Sequence, residues 1–338
     1  MQRISPRPTL EVVAARAGVS RATASRVLRG SSNVSDTARD AVLRAADEMS
    51  YTVNRAARSL VTRRSESIAF LVAEDEARMF GDPYFLAVLR GAQTEAAAAG
   101  MQLVFAIAST SAEGKQFRHF ASGGHVDGVL LVSMHGDDAV AQQLEDIGVP
   151  TVLNGRPFRS DSGLFSVDAD NVGGGRLATE LLLHRQPRLV ATITGPLDMC
   201  AGQDRLLGYQ QALDDAAPRR RGVTATGDFT VSGGATAMAG LLDEHPDVDA
   251  VFAASDLMAI GAIRTLVDRG RRVPDDVAVV GFDDVREAQL TTPALTTVRQ
   301  PLSDLGRTMT RVLLARIAGE DIAARTVLPV ELVRRASA

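Results

Sequence analysis

From Ile68 to Phe282, short apolar runs alternate with longer amphipathic ones, and this rhythm restricts the fold of the 338-residue chain more tightly than any other feature. Runs 68–73, 102–108, 126–132 and 150–153 read as strands, with helical patterns at 85–99, 113–121 and 137–147 between them. The rhythm restarts near Leu164: strands at 164–167, 189–194, 250–254 and 277–282, helices at 171–183, 203–216, 232–243 and 256–268, and a weaker strand around 223–229. Alternation of this kind with short loops predicts an α/β fold with helix-covered parallel sheets. Two units of similar size predict two lobes. Ligands of open α/β sheets bind beyond the carboxyl ends of strands, so a cleft between the lobes is the expected binding place.

The first 66 residues follow a helical period instead. Thr9 stands at an N-cap position before Val12, Val13, Ala14 and Ala17, and Gly18 stops the pattern. Ser20 then caps a second helix with Ala24, Val27 and Leu28 on its apolar side. Two short helices joined by a glycine turn predict a helix-turn-helix, whose second helix lies in the DNA major groove. Arg21, Thr23, Ser25, Arg26 and Arg29 face outward from it and suit base edges and phosphates. A solvated basic face on an ordinary bundle is the alternative. Residues 35–49 predict a third helix, capped by Ser35 and buried along Ala38, Val42, Leu43, Ala46 and Met49. Asn54–Leu60 is a two-turn helical candidate too short to be stable alone, so it folds only when docked or remains a linker.

Charge follows the same division. Residues 1–66 carry a net +6 and the remaining 272 a net −10, although the whole chain is only −4. A basic head on an acidic body suits a head that meets phosphate and a body that does not. One cysteine, Cys200, excludes an intrachain disulfide and fits a reduced, cytoplasmic setting; it reads as a small residue near a helix start. No apolar run is long enough for a membrane span, and the N-terminus has no signal-peptide core, so no membrane partner is expected.

Catalytic signatures are missing: there is no G-x-S-x-G, no P-loop, no H-E-x-x-H and no C-x-x-C, and the five histidines show no i, i+4 pairing. The chain is therefore expected not to be an enzyme and to need no metal or cofactor. Gly173-Gly-Gly175 lacks the dinucleotide-binding spacing and reads as a packing feature. Asp283-Asp284 is either a metal pair or a hydrogen-bonding pair in the cleft. Arg205 and Asp283 sit at helix-start and strand-end positions, where a donor fork and two acceptor oxygens can clamp neighbouring hydroxyls. A purely structural Arg205–Asp283 ion pair is the alternative. Asp82, Tyr84 and Phe85 offer a polar contact and aromatic faces, although Phe85 is as plausible in the core. Phe158, Tyr209 and Phe252 are open between cleft and core.

These stretches together resemble the lac-repressor-type (LacI/GalR) family of transcription regulators over essentially the whole chain. The resemblance is carried by Thr9-Leu10, Ala17-Gly-Val-Ser20, Thr23, Ser25-Arg-Val-Leu28, Tyr51 and Asn54-Arg-Ala-Ala-Arg-Ser-Leu60. In the body it is carried by Arg205-Leu-Leu-Gly208, Asp256–Gly261, Val280-Gly-Phe-Asp-Asp284 and Thr296–Gln300. It implies a homodimer on a pseudo-palindromic operator in double-stranded DNA. Thr9, Ser20, Arg21, Ala22, Thr23, Ser25, Arg26 and Arg29 would then meet DNA, with Arg21 and Ala22 in the base-reading first turn. In the implied hinge helix, Asn54 and Ala57 lie near the minor groove and Leu60 wedges between base pairs. The implied effector contacts are Asp82, Tyr84, Phe85, Asn154, Arg205, Ser255, Asp283 and Gln300.

Several positions depart from the family pattern. Val12 stands in place of Asp, and Val53 in place of the Pro common before the hinge. Asp82 and Ser255 each replace an Asn, and Asn154 stands where some members have an acid. Effector identity is what these changes leave open. The expected architecture is an all-α helix-turn-helix headpiece (1–53), a hinge helix and linker (54–66), and a two-lobed periplasmic-binding-protein-like effector domain (67–338). Its first lobe spans about 67–166 plus 298–326, its second about 167–297 plus 327–338. The expected function is a ligand-responsive repressor controlled by a small polar, sugar-like effector. The rivals are a cytosolic solute-binding protein and a two-lobed α/β enzyme.

Overall fold

Helices α1 (Leu10–Arg16), α2 (Arg21–Leu28) and α3 (Asp36–Glu48) enclose a small core of Val13, Ala14, Ala24, Val27, Val42, Ala45 and Ala46. The structure, a computed structural model, describes residues 8–28, 33–51, 64–136, 139–216 and 222–338. Gly18, at φ 67°, turns the chain between α1 and α2, a conformation L-side chains seldom adopt. Two expectations need correcting here. Val12 and Leu43 are 47% and 49% exposed, and Ala45 takes the place on the buried stripe expected for Leu43. Ala45 packs in the core that the three helices share, beside Val42 and Ala46. The hinge segment 54–60 lies outside the described residues.

The chain divides into two compact units, Met1–Ser65 and Glu66–Ala338. The second unit holds two sheets. In the first lobe, β1 (Ser67–Val72), β2 (Gln102–Ile107), β3 (Val129–Val132), β4 (Thr151–Asn154), β5 (Phe165–Ala169) and β11 (Arg325–Leu328) form a parallel sheet in the order β11-β5-β4-β3-β1-β2. In the second lobe, β6 (Val190–Thr194), β7 (Gly222–Thr226), β8 (Ala250–Ala253), β9 (Ala278–Asp283), β10 (Thr296–Arg299) and β12 (Glu331–Val333) run in the order β12-β10-β9-β8-β6-β7. β12 pairs antiparallel with β10, and the other pairs are parallel. Most central strands are buried on both faces and read as unbroken apolar runs, the signature of a covered parallel sheet.

The covering helices are α4 (Glu76–Gly81), α5 (Pro83–Ala98), α6 (Ser111–Phe120), α7 (Ala139–Asp146) and α12 (Leu302–Ala318) in the first lobe. Those of the second are α8 (Asn171–Leu183), α9 (Cys200–Ala216), α10 (Val231–Glu244) and α11 (Asp256–Asp268). A Thr110–Glu113 capping box starts α6 at Ser111, two residues before the expected start. No helix among the described residues is long and apolar enough to cross a membrane.

The chain passes between the lobes three times: at Asp170, between Arg299 and Leu302, and between Leu328 and Glu331. Each crossing falls a few residues beyond the boundary expected from the sequence. The strand expected to open the second lobe near Leu164 is β5, which completes the first sheet instead. A buried parallel strand reads the same whichever sheet it joins, and only its pairing partner assigns it.

Candidate functional site

In the headpiece, the Ser20 hydroxyl accepts a hydrogen bond from the Thr23 amide at 3.1 Å and so caps α2 as expected. Thr9 holds the N-cap position of α1 with an extended backbone, but its side chain makes no capping bond. On α2, Arg21, Ala22 and Arg26 are exposed while Thr23 and Ser25 are half-buried along the flank. Arg21 Nε meets Glu11 Oε1 at 2.8 Å. The helix carries no acid in its first turn, so its outward side is a donor surface. Arg29, Asn54, Ala57 and Leu60 lie outside the described residues.

Between the lobes of the second unit is a cavity with about 740 Å³ of empty space, its mouth included. All eight residues expected to contact an effector line it. Asp82, Tyr84 and Phe85 arrive at the start of α5, Asn154 at the end of β4, Arg205 on α9, Ser255 at the cap of α11, Asp283 at the end of β9 and Gln300 just after β10. Strand ends and helix starts thus supply the lining, as the topology requires.

Arg205 and Asp283 form the floor. Arg205 Nε donates to Asn171 Oδ1 at 2.9 Å, and Nη1 donates to the Ala254 carbonyl at 2.5 Å. The guanidinium carbon lies 3.8 Å from the Phe282 ring centroid. Nη1 is also 3.5 Å from Asp283 Oδ1, so the ion pair weighed as an alternative is present, though long. Gln300 Nε2 donates to the same Asp283 oxygen. Burial pushes the Asp283 carboxyl up to about 7 although Arg205 draws it down. Burial likewise pushes Asp168 up to about 6, with Asp204 adding to the rise, and raises Asp82.

The other expected residues are partly committed to the fold. Asp82 caps α5, accepting from the Tyr84 amide at 3.0 Å, and Ser255 caps α11, accepting from the Met258 amide at 3.2 Å. The Tyr84 hydroxyl donates to Asn154 Oδ1. Phe85 is both core and lining: its ring is buried among β1 and α12 residues while one edge meets the cavity. Phe158 lines the cavity, whereas Tyr209 and Phe252 are core.

Asp284 turns away from Asp283 to Arg299 (2.7 Å) and Arg335 (2.5 Å), so the two acids do not face one site. Among the described residues no group of three or more His, Cys, Asp or Glu is placed to hold a metal ion. Gly174 and Gly175 serve packing, while Gly173 leaves room for the Asp170 carboxylate that caps the helix. A Cβ on Gly174 would lie 2.5 Å from the Phe282 ring, and one on Gly175 2.3 Å from the Arg205 carbonyl oxygen.

Sequence reasoning missed Arg78, Arg156, Asp168, Asn171 and Phe229 in the lining. Asp168 and Asn171 bracket the end of β5 and the start of α8, so the strand-end rule that selected Asp283 also points to them. Arg78 Nη1 crosses the cleft to the Asp228 carbonyl at 2.8 Å, and its guanidinium faces the Phe229 ring at 5.1 Å. Nothing in the local sequence marks that pairing.

Buried carboxylates, amides and an anchored arginine around the cavity, with aromatic side chains between, can hold a small polyhydroxylated molecule, because each hydroxyl both donates and accepts. A helix-turn-helix unit joined to a two-lobed binding unit defines a ligand-responsive DNA-binding regulator. Residues 9–54 match the profile of bacterial regulatory proteins of the lacI family, and residues 179–338 that of a periplasmic binding protein-like domain. The chain is 48% identical to the HTH-type transcriptional regulator CelR of Thermobifida fusca over 97% of its own length and 95% of that protein's. It is 32% identical to the ribose operon repressor of Halalkalibacterium halodurans over 97% and 96% of the two chains. Among solved structures, a CelR–cellobiose complex superposes with a TM-score of 0.79 at 45% identity, covering 98% of this chain and 100% of the other. The lac repressor dimer bound to operator and the anti-inducer ONPF gives 0.85 at 28%, covering 98% and 99%. The chain belongs to the lacI family of bacterial regulatory proteins.

Proposed function

We propose that this protein is a cytoplasmic, non-enzymatic transcriptional repressor that binds a pseudo-palindromic operator as a homodimer and is controlled by a β-linked glucose disaccharide of the cellobiose type. The observation that carries the reading is the buried Arg205–Asp283–Gln300 cluster at the floor of the interlobe cleft. Similarity to CelR, whose solved complex holds cellobiose, supports the choice of sugar. Arg205 donates to sugar hydroxyls and Asp283 accepts from them, Gln300 orients Asp283, and Asp82, Tyr84, Phe85, Asn154 and Ser255 complete the wall. In the headpiece, Arg21, Ala22 and Arg26 face base edges, while Thr9, Ser20, Thr23, Ser25 and Arg29 face backbone. Asn54, Ala57 and Leu60 act in the minor groove.

Thermal melting of the purified chain with cellobiose, glucose, ribose and adenosine tests the effector assignment. Cellobiose is expected to raise the midpoint and to change affinity for a selected palindrome, while ribose and adenosine do neither. Equal affinity for palindromic and random duplex in all conditions would reduce the chain to a solute-binding protein. Turnover of the bound sugar would make it an enzyme.

A further inference from the structure

His135 sits on the loop after β3 in the first lobe, within one residue of the cavity wall formed by Ser133 and Met134. Its two ring nitrogens face carboxylates of different lobes. Nε2 is 3.0 Å from Glu74 Oε1, on the loop after β1, and Nδ1 is 2.9 Å from Asp198 Oδ2, on the second-lobe loop between β6 and α9. The backbone joins at the same place, where the Gly136 amide donates to the Asp198 carbonyl at 2.8 Å. Asp198 directly precedes Met199 and Cys200, which line the opposite wall. The contact therefore forms where the two walls of the cleft meet.

A neutral imidazole has one N–H and one lone pair, so it can satisfy only one of two ionised carboxylates. With both nitrogens at hydrogen-bond distance from carboxylate oxygens, the arrangement requires one more proton than a neutral ring carries. Glu74 is buried and already accepts from the Ser133 hydroxyl at 2.7 Å, with Arg78 Nη1 3.7 Å away. Among the described residues, Glu74 and the second-lobe Asp198 are the charged groups that act on the ring; Asp137 and Asp138, which follow in sequence, lie outside the described residues. We propose that His135 is a proton-carrying clasp between the lobes, so that closure over the effector is coupled to proton uptake. This goes beyond the sugar reading above and rests on it only in the second arm of the test below.

The sign follows from the geometry. Opening the cleft removes Asp198 from the ring, leaving Glu74 as its carboxylate partner, so the ring holds its proton more weakly when open than when closed. In the closed form the two hydrogen-bonded carboxylates push His135 up to about 9, against the opposing effect of burial, while Glu74 is drawn below its ordinary value. The clasp thus favours closure at neutral pH, and its contribution is lost as pH rises through about 9.

Cys200 reports on opening in the native chain, since it is buried at the cleft wall two residues from Asp198. The rate of its modification by a thiol reagent is compared between the parent and His135→Gln at each pH, which cancels the ionisation of the thiol itself. At neutral pH the variant is expected to react about fivefold faster, and the two rates are expected to converge at about pH 10. Asp198→Asn, a change on an exposed side chain, is expected to converge in the same way. A ratio that does not change with pH, or equals one throughout, overturns the clasp. In the second arm, cellobiose binding is measured by calorimetry in two buffers of different ionisation enthalpy at about pH 8.5, where the parent is expected to take up more protons than His135→Gln, any exchange at Asp283 being common to both chains. Uptake by both chains alike also overturns it. Failure of cellobiose to bind at any pH removes the sugar reading, and the thiol ratio still decides the clasp.

Discussion

Arg156 grips Asp204 across the cleft with two parallel contacts, Nε to Oδ2 and Nη2 to Oδ1, both 2.8 Å. Arg156 lies just beyond β4 in the first lobe and Asp204 on α9 in the second, one residue before Arg205. Nη2 also reaches Gln203 Oε1 at 3.1 Å. The helix that carries the floor of the cavity is thereby tied to the opposite lobe. Both side chains are largely shielded from water, so the pair is screened less than a surface pair.

Arg156→Met is expected to weaken effector binding about tenfold, which is ~1.4 kcal/mol, because closure loses its bidentate contact and leaves Asp204 uncompensated. Calorimetric titration with cellobiose checks this. Unchanged affinity would show that the pair belongs to the open form as well.

Asp283→Asn is expected to abolish the effector response while leaving operator affinity intact. Asn accepts from Gln300 as Asp does and has nearly the same shape. A pH signature follows. The Asp283 carboxyl sits near 7 in the folded chain and near its ordinary 3.8 unfolded, so the folded state binds the extra proton between these values. Stability from this group therefore falls as pH rises through that window. The melting point of the variant relative to the parent, without effector, is expected to climb between about pH 4 and about pH 8. A flat difference would argue against a buried, proton-retaining acid.

Gly175→Ala and Gly240→Ala form a matched pair on helices of the same lobe. At Gly175 the new methyl would press on the Arg205 carbonyl oxygen, forcing α8 and α9 apart at a cost of about 1–3 kcal/mol and shifting Arg205. At Gly240, on α10, no heavy atom of the described residues lies within 4 Å, and the change is expected to stabilise by about 0.4–1 kcal/mol. Urea denaturation reads both. Equal effects at the two sites would contradict the close approach of α8 to α9.

Arg21→Ala is expected to relax preference at one operator position, at a cost of about 1–3 kcal/mol, while other positions keep their ranking. Binding to a set of single-base operator variants reads this. A uniform loss across all variants, with a shallower salt dependence, would move Arg21 to the phosphates. Because the exposed Arg21–Glu11 pair contributes little to folding, the melting point is expected to change hardly at all.

Much of this protein was legible in the linear chain, for reasons that differ by element. The strands around Phe70, Leu131 and Val280 are buried on both faces and show as apolar runs. Helices α8 and α11 have the expected bounds because Asp170 and Ser255 cap them. The eight residues that the family resemblance implied for the cleft all line it; strand-end position by itself pointed to Asp283. Leu43 went astray because apolar character does not reveal which side of a narrow helix meets its neighbours.

The periodicity of the sequence by itself determined that a helix-turn-helix head precedes two α/β lobes, and its motifs resemble those of ligand-controlled regulators. These are local properties: hydrophobic spacing, caps, and the residue types at strand ends. The tertiary structure alone decided which sheet β5 joins, where the chain crosses between lobes, and which charges face each other over the gap. Arg156 with Asp204, Arg78 with the Asp228 carbonyl, and His135 between Glu74 and Asp198 join residues far apart in the chain. Such pairings depend on how two separately formed surfaces close on one another, and no local pattern encodes that.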